Sequence, residues 1–228
     1  MKRLTGLLLI SALILACAGA TQAITRVAPK MNVLEFHGGV GMPQGTYDEL
    51  VGTEFLFDPN ERVEFDADQV YDNGFYMGLG YGRVFGGHWN AVFGFDFAQC
   101  NVKDPIEKTI GIYQYSIDFT EPPTWRSYDL SARVLYGLFD LVESPASPYL
   151  GVGLTGGLST LSAKGFDNQS NATYAVSAEF GLDVKLWHDV EERSLMTLSS
   201  INSYEFAASG DRARLLRIGL GIKYFFRP

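Results

Sequence analysis

The residues that could do chemistry are few in this chain of 228 residues. The histidines are His37, His88 and His188. A Ser–His–acid hydrolase needs its nucleophile within hydrogen-bond reach of the base, and a third group that orients the base. Nothing in the spacing of these histidines indicates such a set, and His37 reads more simply as a polar partner of Glu35. No catalytic residue is expected, and the chain reads as a non-enzyme. Asp66-Ala67-Asp68 opens like a calcium loop, but Val70 stands where an oxygen ligand belongs. The surrounding acids (Asp48, Glu49, Glu54, Asp58, Glu61, Glu64 and Asp72) read as a solvated loop. Cys100 and Cys17 are the two cysteines. Cys17 falls in the leader described next, which leaves no intrachain disulfide and no thiolate cluster to expect. Neither a metal nor a cofactor is expected.

The elements that would position these groups begin after a leader. Lys2 and Arg3 precede an apolar stretch from Leu7 to Ala16, followed by Ala18-Gly19-Ala20 and Thr21-Gln22-Ala23. That is the layout of a secretory signal peptide, too short to span a bilayer as a helix. Cleavage is expected after Ala23, with Ala20 as the alternative site. Ile14-Leu15-Ala16-Cys17 resembles a lipobox, although Leu15 is an unusual occupant, so acylation of Cys17 is a second alternative. The expected division is a signal peptide over residues 1–23, a short lead over 24–31 and one domain over 32–226. Lys and Arg total 18 against 26 Asp and Glu, a formal charge of −8. Without Lys2 and Arg3 the balance is 16 against 26, or −10. Such a chain lacks the clustered bases that nucleic acid requires.

Past the leader, the hydrophobic pattern has a period of two. In the last segment Leu216, Ile218, Leu220, Ile222, Tyr224 and Phe226 alternate with Arg217, Gly219, Gly221, Lys223 and Phe225. Trp89 to Phe97, Tyr128 to Leu138, Leu150 to Leu158 and Tyr174 to Leu186 behave alike, which marks strands with unlike faces. The reading gives eight strands, about 32–42, 73–85, 88–101, 124–139, 147–161, 172–187, 193–206 and 213–226. The seventh is weak, because neither of its faces is cleanly apolar. Most exceed the ~9–11 residues needed to cross a bilayer at a tilt. The connections after strands two, four and six are short, and those after one and three are long. That sorting is expected of an outer-membrane barrel, with short periplasmic turns and longer external loops. Gly86-Gly87 fits a two-residue hairpin.

The expected fold is therefore all-β: a closed antiparallel eight-stranded up-and-down transmembrane barrel. The charges share the face opposite the apolar one. Glu35, Asp96, Asp129, Glu179 and Asp183 are set against Arg133, Lys185, Arg217 and Lys223. A base on the lipid face at the midplane costs about 2–4 kcal/mol, so these residues are expected to form a luminal ion-pair network. Eight strands leave an interior that side chains can fill, so the lumen is expected to be mostly plugged and polar. Phe85, Trp89, Tyr149, Trp187, Tyr224 and Phe226 are expected as interfacial aromatics at the periplasmic rim.

The chain resembles the small OmpA-like and OmpX-like outer-membrane barrels. The resemblance spans about residues 32–226 and is carried by the secretion signal, the alternating strands and the final apolar strand. Asn73-Gly74-Phe75-Tyr76-Met77-Gly78-Leu79-Gly80-Tyr81 and Pro148-Tyr149-Leu150-Gly151-Val152-Gly153 also carry it. It implies localisation in a bacterial outer membrane, insertion by the barrel-insertion machinery, and contact with outer-membrane lipid and lipopolysaccharide. A structural and surface-interaction role and a monomeric or weakly oligomeric barrel are expected. Two departures matter: Arg227-Pro228 follow the aromatic Phe225-Phe226, and no peptidoglycan-binding segment is expected after the last strand. The alternatives are a narrow channel or carrier of a small apolar ligand, a secreted lipocalin-like barrel with its apolar face inward, and a lipid A-modifying enzyme.

Overall fold

A computed structural model describes residues 31–44, 46–47, 65–110, 113–119, 121–162, 169–189, 193–208 and 214–228. The signal peptide, Cys17 and the acids from Asp48 to Glu64 lie outside these residues. In chain order the elements are β1 (Met31–Gln44), β2 (Thr46–Tyr47), β3 (Phe65–Asp66), a single helical turn (Ala67–Val70), β4 (Gly74–Phe85) and β5 (Trp89–Asn101). They continue with β6 (Ile106–Ile110), β7 (Tyr113–Ile117), β8 (Thr124–Gly137), β9 (Ala146–Ser162), β10 (Gln169–His188), β11 (Ser194–Ala208) and β12 (Arg214–Phe226).

Eight of these strands form one closed antiparallel barrel, in the order β1-β12-β11-β10-β9-β8-β5-β4. Closure is made by β1, which pairs with β4 on one side and with β12 on the other. The ring therefore exposes no strand edge. The period of two decides what faces where. Along β12, Ile218, Leu220 and Ile222 point outward while Arg217, Gly221 and Lys223 are buried inside. The same holds around the ring: Leu130 is 71% exposed and Phe93 69%, whereas Asp129 and Ser127 are wholly buried. A lipocalin-like barrel would have the opposite arrangement.

Several local expectations change. The Phe85↔Trp89 pair leaves three residues in the first turn, Gly86, Gly87 and His88, where two were expected. Both glycines adopt positive φ (61° and 78°), conformations that a side chain would strain. The third residue is used for anchoring, since His88 Nδ1 lies 2.9 Å from Gly137 O at the end of β8. The long connections read as loops carry short two-stranded sheets, β2 with β3 and β6 with β7. The weak seventh segment is β11, paired from Ser194↔Phe226 to Tyr204↔Leu216 with β12. Two register shifts interrupt its pairing with β10, one of them between Lys185 and Trp187. Tyr149 corrects the aromatic reading. It is 3% exposed and faces the lumen, because Leu150 and Val152 take the outward positions of β9.

Apolar residues inside the barrel gather at its two ends. At the loop end, Val70, Tyr71, Val102, Ile106, Trp125 and Leu215 belong to one buried cluster. At the turn end, Met31, Val33, Leu135, Tyr149, Leu195 and Phe225 belong to another, with Leu141 and Val142 packed against it. The charged residues lie between the two.

Candidate functional site

The barrel interior brings the predicted charges together in three tiers. In the middle tier, Arg133 Nη2 lies 2.9 Å from Glu35 Oε1 and Nη1 lies 3.3 Å from Glu179 Oε2. His37 sits between two carboxylates, with Nδ1 2.7 Å from Glu35 Oε1 and Nε2 2.8 Å from Asp96 Oδ1. The Nε2 contact is a hydrogen bond, whereas Nδ1 approaches Glu35 by distance without hydrogen-bond geometry. The arrangement depends on missing side chains opposite. A Cβ at Gly78 would run into Asp96 Oδ1 and His37 Nε2, and one at Gly80 would stand 2.7 Å from Val92 Cγ1.

Towards the turn end, Lys223 Nζ donates to Asp183 at 2.9 Å and 3.2 Å. It also lies 4.0 Å above the Tyr149 ring, a cation–π contact that a desolvated ammonium favours. Ser199 Oγ donates to the same carboxylate, and the Tyr149 hydroxyl donates to Ser200 O at 3.1 Å. Towards the loop end, Arg217 Nη2 lies 3.0 Å from Glu205 Oε1 and 3.8 Å from Asp129 Oδ2. Ser127 donates to Asp129 at 2.7 Å, and the Leu215 amide donates to Glu205 at 3.1 Å.

Of the nine residues predicted for the network, eight are buried in these tiers. Lys185 is the exception. It is half-buried at the turn end, and its Nζ donates to Val142 O at 2.7 Å. Its backbone amide bonds Pro145 O at 2.8 Å, so it ties β10 to the turn that folds under the barrel mouth. A cavity of about 50 Å³ remains at this mouth, lined by Asn90, Leu141, Val142, Tyr149, Asp183 and Lys223 among others.

Glu205 was missed, although it shares the inward parity of Thr197, Ser199 and Ser203 on β11. His37 was read as a partner of Glu35 alone, and its second carboxylate, Asp96, comes from β5 across β4. With Glu205 counted, six acids among the described residues (Glu35, Asp96, Asp129, Glu179, Asp183, Glu205) share the buried interior with Arg133, Arg217, Lys223 and His37. Among the described residues, Glu35 Oε2, Glu179 Oε1, His37 Nδ1 and Arg133 Nε have no hydrogen-bond partner. Such a lining suits a few water molecules. Among the described residues no group of three or more His, Cys, Asp or Glu could hold a metal ion.

This arrangement does not position a nucleophile against a base. Its chemistry is electrostatic: Arg133, Arg217 and Lys223 are held by carboxylates from other strands, and the tiers are closed above and below by apolar side chains. Ion pairs of this kind gain little over an apolar core.

No family model matches the sequence, and no curated protein matches it. Solved structures do. The outer membrane protein OprG from Pseudomonas aeruginosa superposes with a TM-score of 0.50 at 14% identity, covering 90% of this chain and 100% of that one. Neisserial surface protein A gives a TM-score of 0.46 at 13% identity, over 86% of this chain and 98% of that one. A major outer membrane protein from Thermus thermophilus gives 0.46 at 13% identity, over 87% and 100%. At 14% identity the likeness to OprG is one of fold, and with its closed ring of eight strands the chain has the fold of a small outer-membrane β-barrel protein.

Proposed function

We propose that this protein is an integral barrel of a bacterial outer membrane with a structural and surface-interaction role and a lumen closed to steady ion flow. One observation carries the reading: the outer wall is apolar and the interior holds the charges. A water-soluble barrel gains nothing from exposing Leu130, Phe93, Leu154 and Leu220, each at least 60% exposed. In a bilayer the same surface is the one that lipid wets. The short-turn end is then periplasmic and the end with the long connections external. Insertion by the barrel-insertion machinery, and contact of the external segments with lipopolysaccharide, follow from that orientation. Closure of the lumen is supported by the ion-paired tiers and the apolar clusters that flank them.

The reading is tested by expressing the precursor in a diderm host and comparing boiled with unboiled outer-membrane fractions on SDS gels. A heat-dependent mobility shift in that fraction is expected. Soluble periplasmic protein without a shift would overturn membrane insertion. Steady conductance of purified protein in planar bilayers would overturn the closed lumen alone.

A further inference from the structure

Among the described residues, the outer wall has a polar interruption at mid-strand on β11. At the midpoints of other barrel strands the outward side chains are apolar, as Phe36, Leu79, Phe95, Leu130, Leu154 and Leu220 show. At the midpoint of β11 they are Ser200 and Asn202, both half-buried. Each makes one bond within the wall. Asn202 Nδ2 donates to Phe180 O at 3.3 Å, and Ser200 Oγ accepts from the Leu182 amide at 3.1 Å. That leaves the second amide N–H and Oδ1 of Asn202 on a face otherwise wetted by acyl chains, which offer no hydrogen bond.

The geometry points to β11 as the contact face of a weak homodimer in the membrane, with Asn202 of one copy bonded to Asn202 of the other. This rests on the bilayer reading above. Three features select a second copy. The amide carries donor and acceptor and so complements itself. Copies inserted in the same direction hold position 202 at the same depth, so a two-fold axis along the bilayer normal brings the two amides together. Ala178, exposed on the adjoining strand β10, adds a short side chain to the patch, and short side chains let membrane segments approach closely.

The test uses the folded barrel in phosphatidylcholine–phosphatidylglycerol vesicles, after flotation has established insertion. Donor- and acceptor-labelled copies should show energy transfer that falls on dilution with lipid. N202L should weaken association about five-fold or more, the scale of one or two interchain hydrogen bonds in a membrane. In a C100S background, N202C should form disulfide-linked dimers on oxidation, and F93C, on β5 across the barrel, should not. Should N202L fail to fold, the cysteine pair decides. Transfer no greater than random proximity at every dilution would overturn the dimer, as would unchanged transfer for folded N202L or equal cross-linking at both cysteines. Failure to float would overturn the bilayer reading, and the dimer with it.

Discussion

Arg133 Nη2 and Glu35 Oε1 lie 2.9 Å apart although 98 residues separate them in sequence. They stand on β8 and β1, which are not neighbours in the ring, so the bond crosses the lumen. Arg133 thereby bridges Glu35 and Glu179, and its loss has a definite consequence. Arg133→Met should destabilise the barrel by about 3–5 kcal/mol, because two buried carboxylates lose their shared counter-charge. The double variant Arg133→Met/Glu35→Gln should recover part of that loss. Urea unfolding of reconstituted protein measures both, and simple additivity of the two single substitutions would refute the coupling.

Glycines on the two faces should respond differently. Gly78→Ala places a methyl group against His37 and Asp96, and overpacking of this kind costs about 1–3 kcal/mol. At Gly156, which faces outward, the nearest atom to an added Cβ is Thr173 O at 4.0 Å. Gly156→Ala should therefore leave stability within about 0.5 kcal/mol. The same unfolding assay compares them, and equal effects would mean that the inward column is not packed as described.

The outer wall makes a sharper demand. Leu130 lies mid-strand on β8 and is 71% exposed. Leu130→Arg should cost about 2–4 kcal/mol in a bilayer, read as a lower midpoint in urea-driven unfolding from vesicles. A tolerated arginine there would place this face in water.

The three tryptophans report on faces directly. Trp89 and Trp187 are about half exposed near the turn end, whereas Trp125 is 2% exposed in the loop-end cluster. Lipids brominated close to the headgroup should quench single-tryptophan proteins that retain Trp89 or Trp187. The protein that retains only Trp125 should stay bright. Quenching of Trp125 by lipid would contradict its inward placement.

How much of this was legible beforehand varies with the physics involved. Alternation along β5, β8, β9 and β12 reveals which residues turn inward, because the pleat fixes parity within a strand. It does not reveal who meets across the lumen. That Arg133 reaches both Glu35 on β1 and Glu179 on β10 follows from closure of the ring and from side-chain length, which leave no periodic trace. Tyr149 was misread by giving its position at the rim more weight than its parity. Lys185 sits at the mouth, next to the register shift before Trp187, where the simple pleat count ends. On β11 the inward face mixes Leu195 and Ile201 with Thr, Ser and Glu, while Ser200 and Asn202 break the outward one. Hydrophobicity alone could not separate its two sides, and Glu205 went unnoticed as a result.

The Glu35↔Lys223 pairing lies on the seam where the first and last strands of the barrel meet. A slip of one residue along that seam would exchange the two faces of the moving strand. For β12 it would swing Arg217 and Lys223 into hydrocarbon and bring Ile218 and Ile222 inside. In a bilayer the luminal charges would therefore disfavour, by several kcal/mol, a barrel zipped shut out of step.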